Sequence, residues 1–328
     1  MESSLPKLIA IVGPTASGKS ALAVAIAQAW NGELVCADSR QLYRGMTIGT
    51  AKDDGVWVTT RNTRRVYVLT SGVTEHLVDV LDPQEEWSVA EYQKRAYKTI
   101  DDILARGRLP ILVGGTGLYV QAVIDHLQFP DVAPNETLRE RLQFKSLEEL
   151  QRMYAACDPV GAASIDDGNK RRLIRAIEVC LVTKQPYSVL RRRGAPRYET
   201  LQLGIELYRE SLYQRINDRV VKMVQGGLIE EVQTLMKTDG DVTRGALTGI
   251  GYREVIDYLQ GETSVPQMIR DIQTNTRQLA KRQLTWFKRD ARIAWVVSHE
   301  EAFRRVRAFL SGDGHDPVTK AKTRAVAS

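Results

Sequence analysis

Eight residues near the N-terminus, Gly13, Pro14, Thr15, Ala16, Ser17, Gly18, Lys19 and Ser20, carry the spacing G-x-x-x-x-G-K-S. In such a loop, backbone N–H groups converge on an anion, a lysine adds a point charge, and the final hydroxyl can hold Mg²⁺. The pattern carries chemistry only where a strand enters it and a helix leaves it. Residues 8–12 (LIAIV) form a short apolar run of strand type, and residues 21–30 (ALAVAIAQAW) are rich in strong helix formers. The positive end of that helix then faces the same anion. A glycine-rich turn that holds nothing is the bland alternative, and both flanks argue against it. All eight residues are candidate diphosphate ligands, with Ser20 the candidate metal ligand.

Two more strand ends offer reactive or ligand-admitting turns. Residues 33–38 (ELVCAD) read as a buried strand that delivers Asp38, Ser39, Arg40 and Gln41 at its C-terminal end, the edge where open α/β sheets bind ligands. Alone, D-S-R-Q is an ordinary Asx or Ser turn; beside a phosphate loop it becomes a candidate site. Residues 110–113 (PILV) supply another buried strand, ending in Gly114, Gly115, Thr116 and Gly117, a turn that lets a ligand approach backbone closely.

These turns require a parallel α/β sheet with helices between its strands. Residues 65–71 and 76–81 read as short strands or a hairpin, after a polar segment from Ile48 to about Arg65. Ser88 and Glu91 form a capping box for a helix that Gly107 closes. From 126 to 199 strand signals give way to helical stretches and basic clusters, including Lys170, Arg171, Arg172 and Arg175, and Arg191, Arg192, Arg193 with Arg197. Residues 201–207 return as a strand, and helices follow over 210–226, 228–236, 251–260, 265–282 and 304–310. The expected layout is a phosphate-loop α/β core over 1–125 and 200–311, a helical insertion over 126–199, and a disordered tail over 312–328.

Composition sets the bounds. A chain of 328 residues with 43% hydrophobic content has enough apolar material for a real core. A net charge of +6 permits a polyanionic partner. Cys36, Cys157 and Cys180 are scattered and odd in number, which suits a reducing cytosol better than disulfides or a zinc site. No run approaches the roughly 20 apolar residues of a membrane span, so a cytoplasmic monomer without membrane contact is expected. Two activities that share such a loop leave part of the pattern unexplained. A small-molecule kinase would use the 191–197 loop as a lid and Asp79 or Asp82 as its Mg²⁺ acid, but the PILV strand ends without a carboxylate. An RNA-binding NTPase explains the basic stretches and leaves D-S-R-Q and G-G-T-G without a role.

Several stretches together resemble the tRNA dimethylallyltransferases (tRNA isopentenyltransferases). They are GPTASGKS (13–20), DSRQLYRGMTIGTAK (38–52), SVAEY (88–92), PILVGGTGLYVQA (110–122), RRLIRAIEV (171–179), RESLYQRINDRVVKM (209–223), GIGYREVIDYL (249–259) and TRQLAKRQLTWFKR (276–289). The resemblance covers about nine-tenths of the chain in family order. It implies transfer of a dimethylallyl group from dimethylallyl diphosphate, with Mg²⁺, to N6 of the tRNA adenosine beside the anticodon. It makes Asp38 the general base, with Thr15 and Arg209 as further catalytic contacts. Asp38, Ser39, Arg40, Gln41 and Thr116 would meet the target nucleotide. Arg139, Arg171, Arg172, Leu173, Ile174 and Arg175 would contact tRNA from the insertion. Thr248, Gly249, Ile250, Gly251, Tyr252, Arg253, Lys281, Arg282, Gln283, Trp286 and Lys288 would do so from the C-terminal helices, with Trp286 more suited to core packing than to stacking. The chain departs from the family at Asp53, where proline is usual, at Glu75-His76, where a histidine pair is common, at Tyr208 before Arg209, and in the long segment from Asp53 to Thr74.

Overall fold

The structure, a computed structural model, describes residues 5–60, 63, 65–165, 168–190, 192–237 and 244–312. The chain divides into two compact units, Met1–Val123 with Arg197–Ser328, and Ile124–Pro196. The strands are β1 (Lys7–Val12), β2 (Gly32–Cys36), β3 (Gly55–Thr59), β4 (Arg65–Leu69), β5 (Thr74–His76), β6 (Leu109–Gly114), β7 (Glu199–Ile205) and β8 (Ile293–Val296). Helices α1 (Lys19–Ala29), α2 (Val89–Ala105) and α3 (Gly117–Ile124) precede the second unit. That unit holds α4 (Glu136–Gln143), α5 (Leu147–Cys157), α6 (Pro159–Ala162), α7 (Lys170–Thr183) and α8 (Tyr187–Leu190). After β7 come α9 (Arg209–Gln225), α10 (Leu228–Lys237), α11 (Arg244–Leu247), α12 (Tyr252–Leu259), α13 (Val265–Phe287) and α14 (His299–Ser311).

The first unit is built on one sheet in the order β3-β4-β5-β2-β6-β1-β7-β8. Leu8 to Val12 of β1 are wholly buried, as a central parallel strand covered on both faces must be. Leu22, Ala23 and Ile26 of α1 and Ala302 and Val306 of α14 pack on the apolar side chains of β1, β2 and β6. Because β1, β2, β6 and β7 are parallel, their C-termini lie at one edge. The phosphate loop, the Asp38 turn and the Gly115 turn therefore meet there.

The expected parallel core is present, and antiparallel pairing is confined to one edge of the sheet. Strand β4 runs antiparallel to both β3 and β5, because short loops can join only antiparallel neighbours. The polar segment contains β3, whose residues from Val56 onward are exposed, so no alternation marks it. The run expected over 76–81 stops at His76, since Leu77 and Asp79 adopt φ of 59° and 49°, incompatible with a strand. Four-residue β8 is too short to stand out. Helix α13 continues five residues past its expected end, and α14 starts earlier, where Ser298 accepts from the Glu301 N–H. Ser88 does cap α2, but the Glu91 carboxylate pairs with Arg95 instead of closing a box.

In the second unit, α4, α5 and α7 are capped by Asn135, Ser146 and Asn169 and enclose Leu142, Leu150, Tyr154, Leu173, Ile174 and Ile177. The insertion was expected over 126–199; the compact unit ends at Pro196, since β7 recruits Glu199 into the sheet. Arg191 and the tail from 313 onward lie outside the described residues.

Candidate active site

Left-handed backbone turns the chain from β1 into α1: Gly18 sits at φ 94° and caps the helix, and Ala16 sits at φ 62°. Ala16 packs against Leu212 and Ile216 of α9 and Ala280 of α13, which brings both helices onto the loop. From α13, the Gln283 amide accepts from the Thr15 N–H at 2.9 Å and donates to the Gly115 carbonyl at 2.9 Å. A Cβ on Gly115 would lie 2.4 Å from that amide nitrogen, so this glycine makes room for the latch. From α9, Arg219 reaches the Thr15 hydroxyl at 3.3 Å. Inside the loop, Lys19 donates to the Pro14 carbonyl at 2.6 Å. The buried Ser17 hydroxyl has no hydrogen-bond partner among the described residues.

Charge here is crowded and poorly hydrated. Burial pushes the Lys19 ammonium down to about 8, helped by Arg219 and opposed by Asp38 and Asp53. Burial also lowers Arg219, with Asp53 pulling it back. Enclosed cations that lack a carboxylate salt bridge favour an anionic ligand.

Lys19, Ser20, Thr15, Arg219 and Gln283 line a cavity of about 210 Å³, together with Asp38, Gln41, Asp53, Glu75 and Gly114. Asp38 holds its turn by accepting from the Arg40 N–H at 2.9 Å through Oδ1. Oδ2 takes no hydrogen bond among the described residues. The Asx-turn reading and the reactive reading of Asp38 are thus compatible, one oxygen for each. The neighbouring Ser39 N–H donates to Thr116 Oγ1 at 3.0 Å, tying the two turns together. Gln41 is fixed by the Thr50 and Ala51 carbonyls and accepts from Cys36. Beneath them, the Tyr92 hydroxyl donates to the Cys36 carbonyl, and its ring stacks on Tyr119.

Glu75 is a different kind of group. It is 7% exposed, and no described residue hydrogen-bonds its carboxyl. Burial, reinforced by Asp53 and Asp79 and opposed by Lys52, pushes it up to about 8. Lys52 is itself buried, bonding the Tyr43 carbonyl and Asp79.

Several residues fall elsewhere than expected. Arg209 is exposed at the start of α9, its guanidinium over the Tyr213 ring and outside the cavity lining. The helix that carries it delivers Arg219 instead. Sequence reasoning passed over Arg219, although it interrupts the apolar stripe of Leu212, Ile216 and Val220, where an arginine needs a reason. Leu173 and Ile174 are buried in the second unit's core, so their side chains offer RNA no surface. Tyr252 is 1% exposed, packs on Gly49 and donates to Glu231 at 2.6 Å. Glu231 also accepts from the N–H groups of Thr47, Ile48 and Gly49, so the pair clamps the 47–49 loop. Gly249 and Gly251 are buried with it, while Ile250 is half-buried.

Arg139 and Arg175 are half-buried, and both are engaged by Glu178. Arg171, Arg172, Thr248, Arg253, Lys281, Arg282 and Lys288 are exposed, and Arg40 is half-buried. Trp286 is half-buried against Gly117, where a Cβ would lie 2.3 Å from its ring. No group of three or more His, Cys, Asp or Glu among the described residues is placed to hold a metal. No helix there is long and apolar enough to cross a membrane.

A sequence model of the family described as IPP transferase matches residues 41–290. The tRNA dimethylallyltransferase of Carboxydothermus hydrogenoformans is 43% identical over 307 residues, covering 92% of this chain and 94% of that one. That of Heliobacterium modesticaldum is 42% identical over 295 residues, 88% of each. Among solved structures, the tRNA isopentenylpyrophosphate transferase of Bacillus halodurans is 38% identical with a TM-score of 0.66, covering 93% of this chain and 96% of its own. A eukaryotic dimethylallyltransferase solved acting on tRNA is 25% identical with a TM-score of 0.75, covering 94% and 80%. The chain belongs to the IPP transferase family, the family of the tRNA dimethylallyltransferases.

Proposed function

We propose that this protein transfers a dimethylallyl group from dimethylallyl diphosphate to N6 of the adenosine 3′-adjacent to the anticodon of tRNA. The observation that carries the site assignment is one cavity holding an available carboxylate oxygen, Asp38 Oδ2, beside two enclosed cations, Lys19 and Arg219. The loop takes the diphosphate, and the Thr15 and Ser20 hydroxyls line the cavity that would receive its oxygens. In the transfer, the adenine N6 lone pair bonds to C1 of the allyl group as the C1–O bond breaks. The electron pair leaves with diphosphate, and the proton on N6 goes to Asp38. Adenine's amine is a weak base, but it becomes strongly acidic as it bonds to carbon, so an ordinary carboxylate suffices late in the step. Lys19 and Arg219 face the charge that grows on the leaving oxygen.

The oxygen donors suit Mg²⁺, which keeps several waters and needs one or two protein oxygens plus substrate phosphates. Ser20 would hold it, with the diphosphate supplying further oxygens, and it would withdraw charge from the leaving group. The target base leaves the anticodon-loop stack to reach the cavity. Gln41 and Thr116 line its path, and the exposed cations of α13 meet tRNA phosphates. The same reading places the protein in the cytoplasm.

The test is incubation of purified protein with unmodified tRNA, dimethylallyl diphosphate and Mg²⁺, without ATP, followed by nucleoside mass spectrometry. A dimethylallyl mass increment on adenosine is expected. Transfer that requires added ATP would sink the reading.

A further inference from the structure

Beyond Asp53, which lines the cavity, the chain forms the antiparallel β3–β4 hairpin, none of whose strand residues line that cavity. We infer that this hairpin is an additional tRNA-binding arm, with Trp57 and Arg65 as its contact pair. The inference rests on tRNA being the acceptor.

Position is the first support. Strand β5 lies parallel to β2, with His76 opposite Val35, and β4 returns along β5 with Tyr67 opposite Glu75. Arg65, two residues before Tyr67, therefore stands at the level of Cys36, just short of Asp38. Thr59 pairs with Arg65, so β3 ends and β4 begins at the edge that carries the phosphate loop and the Asp38 turn. Three strand spacings, about 14 Å, separate β3 from β2. An RNA loop that delivers its base to Asp38 has neighbouring nucleotides within that distance.

The chemistry of the pair is the second. Trp57 is 38% exposed on an edge strand, and the Arg65 guanidinium lies over its ring at 5.2 Å. Tyr67 meets the indole edge-on at 5.6 Å and holds it upright on the ribbon. Among the described residues no carboxylate pairs with Arg65, and the indole N–H donates to none. An exposed aromatic plane beside an uncompensated guanidinium binds a base face and a phosphate together. Charge agrees: residues 55–74 contain three arginines and no acidic residue. A polyanion fits this ribbon better than an acid-free protein strand would.

The experiment measures binding of an unmodified tRNA transcript across a KCl series to wild type and to Arg65→Ala, Arg65→Lys, Trp57→Ala and Trp57→Phe, with melting temperatures checked first. Arg65→Ala should weaken binding roughly 3- to 10-fold at low salt and reduce the log–log salt slope by about one, while Arg65→Lys keeps the slope. Trp57→Ala should weaken binding roughly 5- to 20-fold with little change in slope, and Trp57→Phe should restore most of it. The donor KM and the kcat at saturating tRNA should not move. Stably folded variants that bind tRNA as wild type does would overturn the inference. So would sedimentation showing a wild-type dimer that Trp57→Ala separates, since the ribbon would then serve a second copy. A wild-type protein that binds no tRNA would instead refute the proposed function.

Discussion

Two buried glutamates separate what the fold needs from what the reaction needs. In the second unit, Glu178 has a fully buried side chain and accepts from the Asn135 N–H, twice from Arg139 and once from Arg175, at 2.6 to 2.9 Å. Burial raises its carboxyl, but these donors win and hold it below the ordinary range. In the first unit, Glu75 is nearly as buried and has no such donors among the described residues. A buried carboxylate surrounded by donors is a finished interaction that fixes helices. One aimed into a cavity without donors is costly, and the fold tolerates that cost where a substrate or a proton completes it. The same contrast sorts the arginines: Arg139 and Arg175 are engaged by Glu178, whereas Arg219 faces the cavity.

The largest expected effect lies on the unfinished side. Asp38→Asn keeps the turn, since the amide oxygen still accepts from Arg40, but removes the proton acceptor. Its kcat should fall on the order of 10²–10⁴-fold, with both KM values little changed. Single-turnover rates across a Mg²⁺ series check this. Recovery to near the wild-type rate at high Mg²⁺ would make Asp38 a metal-linked residue instead of a base.

On the finished side the expected loss is stability. Glu178→Gln should cost about 2–4 kcal/mol, and Arg139→Ala about 1–3 kcal/mol, measured by urea unfolding at pH 7. The sign follows from linkage. Glu178 is held below its unfolded value, so its contribution is present above about pH 4.5 and is lost as pH falls further. The deficit of Glu178→Gln should therefore shrink toward acid pH. An Arg139→Ala protein of wild-type stability with weakened tRNA binding would return Arg139 to the RNA surface.

A middle-sized effect tests the enclosed cation. Lys19 loses its proton near pH 8 in the free protein, and a bound diphosphate would hold the proton on. Donor affinity should thus be level below pH 8 and fall above it by up to about tenfold per pH unit. Calorimetric titration with dimethylallyl diphosphate between pH 7 and 9.5 measures it. A flat profile would mean that Lys19 does not meet the anion.

This contrast also explains how much was readable beforehand. The phosphate loop, Asp38 and the Gly115 turn were legible because each is a local pattern at the end of an apolar strand. Gln283 was picked out only by resemblance, and its latch between Thr15 and Gly115 spans 268 and 168 residues of chain. Arg219 was missed because its partner Thr15 is 204 residues away. Charge alone could not tell Arg139 from Arg171, since only the fold brings Glu178 beneath the first. Strand β3 escaped notice because an exposed edge ribbon has no buried face to impose a period of two.

The smallest effect completes the comparison from the other direction. Glu75 has a folded-state value near 8, above its unfolded value of about 4.5. Between those values the folded state binds more protons than the unfolded one, so stability falls as pH rises. Below about 4.5 the carboxyl is neutral in both states and costs nothing electrostatically; above 8 the full cost is present. Glu75→Gln replaces the acid with a neutral group of the same shape, and should stabilise the protein increasingly over that window. Melting temperatures at pH 5.5 and 8.5 read this as a variant-minus-wild-type difference larger at pH 8.5, by a few degrees. Comparing the difference at two pH values cancels titrations that both proteins share. Opposite pH signs for Glu75→Gln and Glu178→Gln are the signature of an unpaired and a paired acid in one chain. A Glu75→Gln difference that does not grow with pH would mean that Glu75 already has its partner.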